Sequence, residues 1–437
     1  MERVSRAPPV TNVGRQPYVV PYAGKGSVFG EEELAAIRAL LTSDAHLAGG
    51  EQRTAFEREF ARYVGADYAV SVTSCTVALE FATHLAGIRP GDHVVVSPLT
   101  FHATATPLLA RHVDVSFCDV DEDSLCMDAT ALRALVTRGT RAIFVTHYGG
   151  LMADMERVRE IADECGAVVI EDCAHALGST RNGHPPGHFG DIACWSFQSL
   201  KNISTLGQGG MLTLNDEGRA QVAERLRSME PDADFVARAR PMRFGGWPTP
   251  EPPPPVRHDK NAHSHDCVAI RAGGTNSIMS EPAAAVGRVQ LTKLAAFVDR
   301  RAQLATKLDG ALGAIPGVGL PCPPRGSRHA HHLYWFYVED GGEASRDSVA
   351  SRLERLGVEI VLRYFPIHLL PEWRLRGGGY GDCPVAERVW FERLVNLPLY
   401  PTLSDLQLDH MATAVAEAIG RGRPRRRATI GGSDVAA

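Results

Sequence analysis

The sequence of 437 residues lacks any apolar run that approaches the ~18 residues needed to cross a membrane. Its N-terminal stretch, MERVSRAPPVTNV, has no apolar core like that of a secretory leader. The nine cysteines are an odd number, and no two have the CxxC spacing of a zinc or redox motif. We therefore expect a cytoplasmic protein that has reduced thiols and no membrane anchor.

The chain also lacks a strong excess of charge: 46 basic and 51 acidic residues give a net charge of −5. Five arginines lie in residues 421–437 beside a single acid, and the preceding residues carry a net charge of −9. Such a surface has no general basic footprint for nucleic acid, so we expect no nucleic-acid partner. We predict that the Arg-rich tail is a disordered, solvated terminus.

Apolar spacing predicts an α/β protein. Residues 1–30 have no periodicity and are predicted to form an arm, whereas residues 31–41 and 51–63 have the three- and four-residue apolar spacing of amphipathic helices. Short continuous apolar runs then alternate with helical stretches, which predicts a mainly parallel sheet covered on both faces. The predicted strands are 68–72, 93–97, 113–117, 141–146 and 167–170, and the helices between them begin near residues 76, 103, 129 and 155.

The second half of the chain is interrupted by a Pro-rich loop, residues 246–268, whose histidines lack a metal-ligand spacing. We therefore predict no metal site there. A long helix over 281–312 leads to predicted strands 333–338 and 358–362 and helices 345–356 and 404–419. The resulting domain prediction is an arm (1–30), a large domain (31–285), a smaller C-terminal domain (286–420) and the tail (421–437).

A carboxylate and a lysine follow two of the apolar runs. Asp172 ends a predicted buried strand, and Lys201 follows a predicted strand that carries Ser196 and a turn, and precedes a Gly-rich segment. Lysine is scarce in this chain, and a lysine in a partly desolvated pocket suits a Schiff-base role. These residues predict that Lys201 holds pyridoxal phosphate (PLP) and that Asp172 pairs with its ring nitrogen.

The phosphate of such a cofactor needs hydrogen-bond donors. A strand, the small polar turn at Ser74 and Cys75, and a helix that begins near Thr76 provide an anion site, because the first N–H groups of a helix are free to donate. The hydroxyl groups of Thr76 and Ser196 are predicted to add two further contacts. A simple helix cap would look the same, so this site depends on its order relative to Asp172 and Lys201.

The ordered set of motifs resembles the fold-type I PLP enzymes, and specifically the sugar aminotransferase (DegT/StrS) family, over about residues 56–405. Each motif is short, but their combination is specific. The matching segments are Ser74-Cys75-Thr76-x-Ala78-Leu79, Gly91-Asp92-x-Val94, Pro98-Leu99-Thr100-Phe101, Glu171-Asp172-x-Ala174-His175-Ala176, Ser196-Phe197-x-x-x-Lys201, Gly209-Gly210, Gly274-x-Asn276 and Leu397-Pro398-Leu399.

The resemblance implies a large domain with a mainly parallel seven-stranded sheet between helices, followed by a smaller α/β domain. It also implies that Phe101 stacks on the cofactor ring and that His175 contacts the region of its 3-hydroxyl group. Asn276 is implied to reach the phosphate in the neighbouring subunit, which makes the active unit a homodimer with shared sites. Cys75 stands where the family usually has Gly, and a thiol at a helix N-terminus is expected to have a lowered pKa.

The function implied is transamination from L-glutamate or L-glutamine, through pyridoxamine phosphate, to a keto sugar or a keto cyclitol. The keto sugar would be nucleotide-linked and the cyclitol of the scyllo-inosose type, in aminosugar or aminoglycoside-like antibiotic biosynthesis. One alternative is a sugar dehydratase on the same fold, in which histidine replaces the lysine; Lys201 argues against it. The other is a non-catalytic regulatory homologue, which the presence of Asp172, Lys201, Ser196 and Asn276 disfavours.

Overall fold

The computed structural model describes residues 18–22, 24–229, 273–339 and 344–420. The predictions for the Pro-rich loop (246–268) and for the Arg-rich tail (421–437) therefore lie outside the described residues. The same holds for most of the predicted N-terminal arm, of which the described part begins at Tyr18.

One seven-stranded sheet organises the fold, as the sequence predicts. Its order is β1-β8-β7-β5-β4-β2-β3, and β8 is the strand that runs antiparallel to both of its neighbours. Strand β5 is buried along its whole length and β4 at every residue except Arg141, which explains their continuous apolar sequences. The strands are β1 (Tyr68–Val72), β2 (His93–Val96), β3 (Asp114–Phe117), β4 (Thr140–Thr146), β5 (Val168–Asp172), β7 (Ile192–Ser196) and β8 (Gly210–Leu214), with the short β6 (Thr180–Arg181) outside this sheet.

Helices connect and cover these strands. Several begin at a polar cap: the Ser74 hydroxyl accepts from the Val77 N–H group, and the Asp154 carboxylate accepts from the Arg157 N–H group. The helices are α1 (Glu31–Leu41), α2 (Glu51–Val64), α3 (Cys75–Leu85), α4 (Thr106–Leu109), α5 (Ala129–Leu135), α6 (Met155–Cys165), α7 (Glu217–Arg227), α8 (Glu281–Leu312), α9 (Arg346–Arg355), α10 (Pro371–Arg374), α11 (Pro384–Arg388) and α12 (Asp405–Gly420).

A three-stranded antiparallel sheet, in the order β12-β11-β9, lies in the C-terminal half. It forms part of a second apolar core together with residues of α8, α9 and α12. The predicted domain boundary after residue 285 falls within the continuous helix α8, and the division into domains stays a prediction. The strands of this half are β9 (Val318–Gly319), β10 (Ser327–Arg328), β11 (Tyr334–Val338) and β12 (Leu394–Leu397), of which β10 pairs with β6.

The strand predicted at 358–362 is wrong. Val358 makes a single bridge to Val20 of the N-terminal segment, and residues 359–362 belong to no strand or helix. Backbone bonds join Val20 N–H to the Gly357 carbonyl and Glu359 N–H to the Val20 carbonyl. The apolar side chains of Val358 and Ile360 instead pack in the second apolar core, while the backbone here bonds to the N-terminal segment. Among the described residues, no helix combines the length and apolar character needed to span a membrane.

Candidate active site

A cavity of about 580 Å³ opens at the carboxyl ends of β5 and β7, beside the first turn of α3. Asp172 is the last residue of β5 and Ser196 the last of β7. Seven of the eight residues predicted for the site line this cavity: Cys75, Thr76, Phe101, Asp172, His175, Ser196 and Lys201. These residues are far apart in the sequence, and the parallel sheet brings them together at one edge.

The eighth predicted residue, Asn276, does not line this cavity. It is exposed, and it lies on a segment that runs past the end of α7. The Ser277 N–H group donates to the Arg227 carbonyl, and the Thr73 N–H group donates to the Ser277 carbonyl. The Thr275 N–H group donates to the Leu226 carbonyl, so the backbone is held on both sides of Asn276 without use of its amide side chain.

The Asp172 carboxylate is oriented by two hydrogen bonds. The Thr104 hydroxyl donates to Oδ2 at 2.6 Å, and the Ala174 N–H group donates to Oδ1 at 3.1 Å. A second hydroxyl, that of Thr100, lies 2.7 Å from the Thr104 oxygen and continues the chain of hydrogen bonds. Thr104 is not among the site residues predicted from the sequence, although the four-residue spacing of Thr100 and Thr104 after Pro98 is a signal that points to it.

Lys201 lies on the loop between β7 and β8. Its N–H group donates to the Gln198 carbonyl at 2.8 Å. The N-terminal segment packs tightly on the loop, because a Cβ at Gly26 would overlap the carbonyl oxygens of Leu200 and Lys201. Burial lowers the pKa of the Lys201 amine to about 8, although the Asp172 charge acts in the opposite direction. A substantial fraction of this amine is therefore uncharged, and hence nucleophilic, in mildly alkaline solution.

The first turn of α3 forms the opposite wall. The Ser74 hydroxyl accepts a hydrogen bond from the Val77 N–H group. The N–H groups of Cys75 and Thr76 have no acceptor within the helix, so they are free to bind an anion. Gly210 of β8 permits this placement. A Cβ at Gly210 would lie 2.5 Å from the Cys75 nitrogen and closer still to the Ser74 carbonyl carbon.

The expected lowering of the Cys75 pKa is wrong. Burial raises the pKa of this thiol well above its usual value, and the nearby Asp172 charge raises it further. Removal from water therefore outweighs the favourable field of the helix N-terminus. Cys75 acts here as a small, uncharged wall residue. The eight cysteines within the described residues are free thiols.

His175 belongs to a stack of rings at one side of the cavity. The Gly149 N–H group donates to its Nδ1 at 3.3 Å, so Nε2 carries the proton of the neutral ring and donates to the Tyr364 oxygen at 3.1 Å. Burial lowers the pKa of His175 well below its usual value, and burial raises the pKa of Tyr364 to about 12. Tyr364 therefore keeps its own proton and is a hydrogen-bond donor in the cavity wall.

Two histidines of the C-terminal half have different surroundings. His332 packs on His175, with ring centroids 4.3 Å apart. His368 is buried away from the cavity, where its Nε2 lies 2.9 Å from Glu387 Oε1. His368 is therefore held by Glu387 away from the cavity, whereas His332 lies beside the site residue His175.

A buried group of three potential metal ligands, His147, Glu171 and Cys173, lies next to Asp172. The Ala153 N–H group donates to His147 Nδ1 at 3.2 Å, so His147 Nε2–H donates to Glu171 at 2.7 Å. The other acceptor positions of the carboxylate receive the N–H groups of Gly187 and Gly190. Both nitrogens of His147 are thus used within the protein, and His147 and Glu171 form a hydrogen-bonded pair.

The site fits PLP. It contains an amine that can be uncharged, a carboxylate oriented by hydrogen bonds, and free helix N–H groups, all lining one cavity. These features define the class of PLP-dependent transferases. The chain belongs to the DegT/DnrJ/EryC1/StrS aminotransferase family, whose family model matches residues 28–416. This membership confirms the predicted enzyme class, a transaminase, and the predicted cofactor, pyridoxal phosphate.

Individual relatives cover nearly the whole chain. The dTDP-4-dehydro-2,3,6-trideoxy-D-glucose 4-aminotransferase of Saccharopolyspora spinosa is 32% identical over 411 residues, which are 92% of this chain and 98% of that protein. The spore coat polysaccharide biosynthesis protein SpsC of Bacillus subtilis is 32% identical over 406 residues, 92% of this chain and 97% of that protein. The crystal structure of the aminotransferase TlmJ from Streptoalloteichus hindustanus superposes with a TM-score of 0.79 at 31% identity, covering 92% of this chain and 99% of that chain.

Proposed function

We propose that this enzyme transfers the amino group of L-glutamate or L-glutamine to the keto carbon of a nucleotide-linked sugar. The observation that carries this proposal is the placement of Lys201 and Asp172 in one cavity, beside the free N–H groups of α3. The Saccharopolyspora spinosa relative is named for a dTDP-linked keto sugar, which favours a sugar acceptor. A keto cyclitol is the alternative acceptor. We also propose that the aminated product is used in antibiotic biosynthesis.

The residues that would hold the cofactor follow from the geometry and the resemblance. The N–H groups of Cys75 and Thr76, with the hydroxyls of Thr76 and Ser196, would bind the phosphate. Asp172 would pair with the ring nitrogen, and Lys201 Nζ would be the point of covalent attachment. When bound, PLP supplies an electron-accepting ring that stabilises negative charge at the substrate carbon. The ring of Phe101 is half exposed in the cavity and would cover the cofactor face, and His175 would lie near the 3-hydroxyl group.

Proton transfer falls to Lys201. Its Nζ removes the proton from the α-carbon of the amino donor and later delivers a proton to the former keto carbon of the acceptor. A pKa of about 8 suits both tasks, because the amine readily gains and loses a proton near neutral pH. Thr104 keeps the Asp172 carboxylate in place during both half-reactions, and Tyr364 offers its O–H group to an oxygen of the substrate.

We further propose that the active unit is a homodimer in the cytoplasm. Asn276 is exposed and lies outside the cavity of its own subunit, as a residue that serves the partner's phosphate would. An amide N–H group is a suitable donor to a phosphate oxygen.

The proposed function is tested with the purified enzyme, PLP, and L-glutamate or L-glutamine labelled with heavy nitrogen at the α-amino group. An acceptor that has no nucleotide, scyllo-inosose, is compared with dTDP- and UDP-linked 3-keto and 4-keto hexoses. We expect mass spectrometry to find the label in an aminated nucleotide sugar, and no labelled product with Lys201→Ala. If the enzyme binds PLP but labels none of these acceptors, the proposal is contradicted. If the cyclitol alone is labelled, the acceptor is a keto cyclitol and not a nucleotide-linked sugar.

A further inference from the structure

Arg363 lies in the cavity wall next to Tyr364. Its guanidinium is 5.0 Å from the centre of the Tyr22 ring and 5.9 Å from that of the Tyr364 ring. Its backbone is also held, because the Arg363 N–H group donates to Asn396 Oδ1 at 2.8 Å and the Tyr148 hydroxyl donates to the Arg363 carbonyl. The guanidinium is thus kept in place by aromatic faces and a fixed backbone.

The charge of Arg363 has no carboxylate partner in the part of the chain that the structure describes. Burial acts to lower the pKa of this guanidinium, but the phenols of Tyr22 and Tyr364 raise it overall, so Arg363 stays charged. Among the described residues that line the cavity, the only carboxylate is Asp172, which is held by Thr104. Partial burial of a cation without an acid costs free energy, and an anionic ligand bound at this guanidinium would offset that cost.

A second observation comes from the other side of Arg363. There a small cavity of about 20 Å³, enough for one water molecule, is lined by Tyr22, Arg301, His332 and Arg363. His332 is only 6% exposed, and neither of its ring nitrogens has a hydrogen-bond partner among the described residues. Arg301 donates to backbone carbonyl oxygens. The wall behind Arg363 is therefore polar and cationic, and it contains an imidazole whose hydrogen-bonding capacity is unused among the described residues.

We propose that Arg363 binds the α-carboxylate of the amino donor, an inference that rests on the proposed function. The planar guanidinium can donate two parallel hydrogen bonds to a carboxylate, which a lysine cannot do. The polar space behind it has room for a water molecule that links Arg363 to His332.

The position of Arg363 favours the donor's carboxylate over the phosphates of a nucleotide sugar. The charge of Arg363 contributes to lowering the pKa of both Lys201 and His175, so Arg363 is close to the lysine that moves the proton. The α-carboxylate of an amino acid is bonded directly to the reacting carbon. The phosphate of a nucleotide sugar, in contrast, is attached at the anomeric carbon, and at least one further ring carbon separates that carbon from a keto group at position 3 or 4.

The test measures the two half-reactions separately in the wild type and in Arg363→Gln. In the first, PLP-loaded enzyme reacts with L-glutamate or L-glutamine, and each donor is compared with its own α-amide. In the second, enzyme loaded with pyridoxamine phosphate reacts with the nucleotide-linked keto sugar. The matched control is Arg328→Gln, which removes an exposed arginine paired with Asp299 outside the cavity. Loading with cofactor and the unfolding temperature are recorded for both variants.

We expect Arg363→Gln to lower kcat/KM for the donor by about 10- to 100-fold, with the loss chiefly in KM, as expected for one charge-assisted contact. The wild type should prefer each donor over its α-amide, and the variant should lose most of that preference. A fall in the acceptor half-reaction alone would assign Arg363 to the phosphates and overturn the proposal. An equal fall in both half-reactions, or no change in either, would also overturn it.

If Arg363→Gln does not fold or does not bind the cofactor, the wild-type enzyme alone still tests the proposal. Equal kcat/KM for a donor and for its α-amide would contradict a site that binds the α-carboxylate. Failure of the proposed function is recognised separately. In that case the wild type itself transfers no amino group, and the proposal for Arg363 fails with it.

Discussion

Gly210→Ala is expected to damage the phosphate end of the site without touching a reacting group. The added Cβ would lie 2.5 Å from the Cys75 nitrogen, whereas real Cβ contacts essentially never fall below 3.0 Å. The obstructing atoms belong to the backbone of Ser74 and Cys75, so they cannot rotate away as a side chain would. Gly210 is also paired with Val72 on one side and with Ser196 on the other, which leaves the strand little freedom to move.

The magnitude follows from this geometry. Overpacking a tightly packed site costs about 1–3 kcal/mol of folding free energy. If α3 moves away to relieve the overlap, the phosphate loses at least one charge-assisted hydrogen bond, worth about 1.5–3 kcal/mol. We therefore expect the Kd for PLP to rise about 10- to 100-fold in the folded variant.

The assay is a titration of the apoenzyme with PLP, followed by the visible absorbance of the bound cofactor, together with urea unfolding. Gly310→Ala is the matched control, because Gly310 is an exposed position in α8 where an added Cβ meets nothing within 4 Å. That control should bind PLP normally and gain about 0.5–1 kcal/mol in stability. A folded Gly210→Ala enzyme whose Kd for PLP stays within about twofold of the wild type would refute the reasoning.

Three further predictions concern the reacting groups and the assembly. The rate of covalent attachment of PLP to the apoenzyme should increase as pH rises through about 8, because the Lys201 amine loses its proton there. The rate is measured by stopped-flow absorbance, and an inflection near the usual pKa of lysine would contradict the prediction. Thr104→Val should lower kcat by about 10- to 100-fold, through loss of the hydrogen bond to Asp172, and Thr104→Ser should restore most of it; an unchanged kcat would exclude that role. Heterodimers of Lys201→Ala and Asn276→Asp protomers should recover partial activity, since one of their two sites has neither lesion; no recovery in verified heterodimers would place Asn276 elsewhere.

The sheet and much of the site could be predicted because their signals are local in sequence. A continuous apolar run that ends in a carboxylate marks the end of β5 at Asp172, and a strand followed by a lysine marks Lys201. The parallel arrangement then requires the two residues to lie at the same edge. The order of the short motifs supplied the family resemblance, which the family comparison confirms.

The rest depends on contacts that are distant in sequence. Thr104 and Asp172 are 68 residues apart, and Tyr364 and His175 are 189 residues apart. The prediction of a strand at 358–362 failed for a related reason. Its short run of β-branched apolar residues is typical of a strand, but pairing depends on a neighbouring strand that the local pattern does not reveal. For Cys75 the local rule, a helix N-terminus, gave the wrong direction because burial has the larger effect on the thiol pKa.

The central claim is that Lys201 is the residue that carries PLP, and reductive labelling tests it most directly. Borohydride reduction of the PLP-loaded wild type fixes the cofactor to its lysine, and mass spectrometry of the digest then locates the modified peptide. We predict that the cofactor is found on Lys201, and that Lys201→Ala retains no covalently fixed cofactor. Cofactor fixed to another lysine in the wild type, or none fixed in fully loaded and active enzyme, would contradict the account.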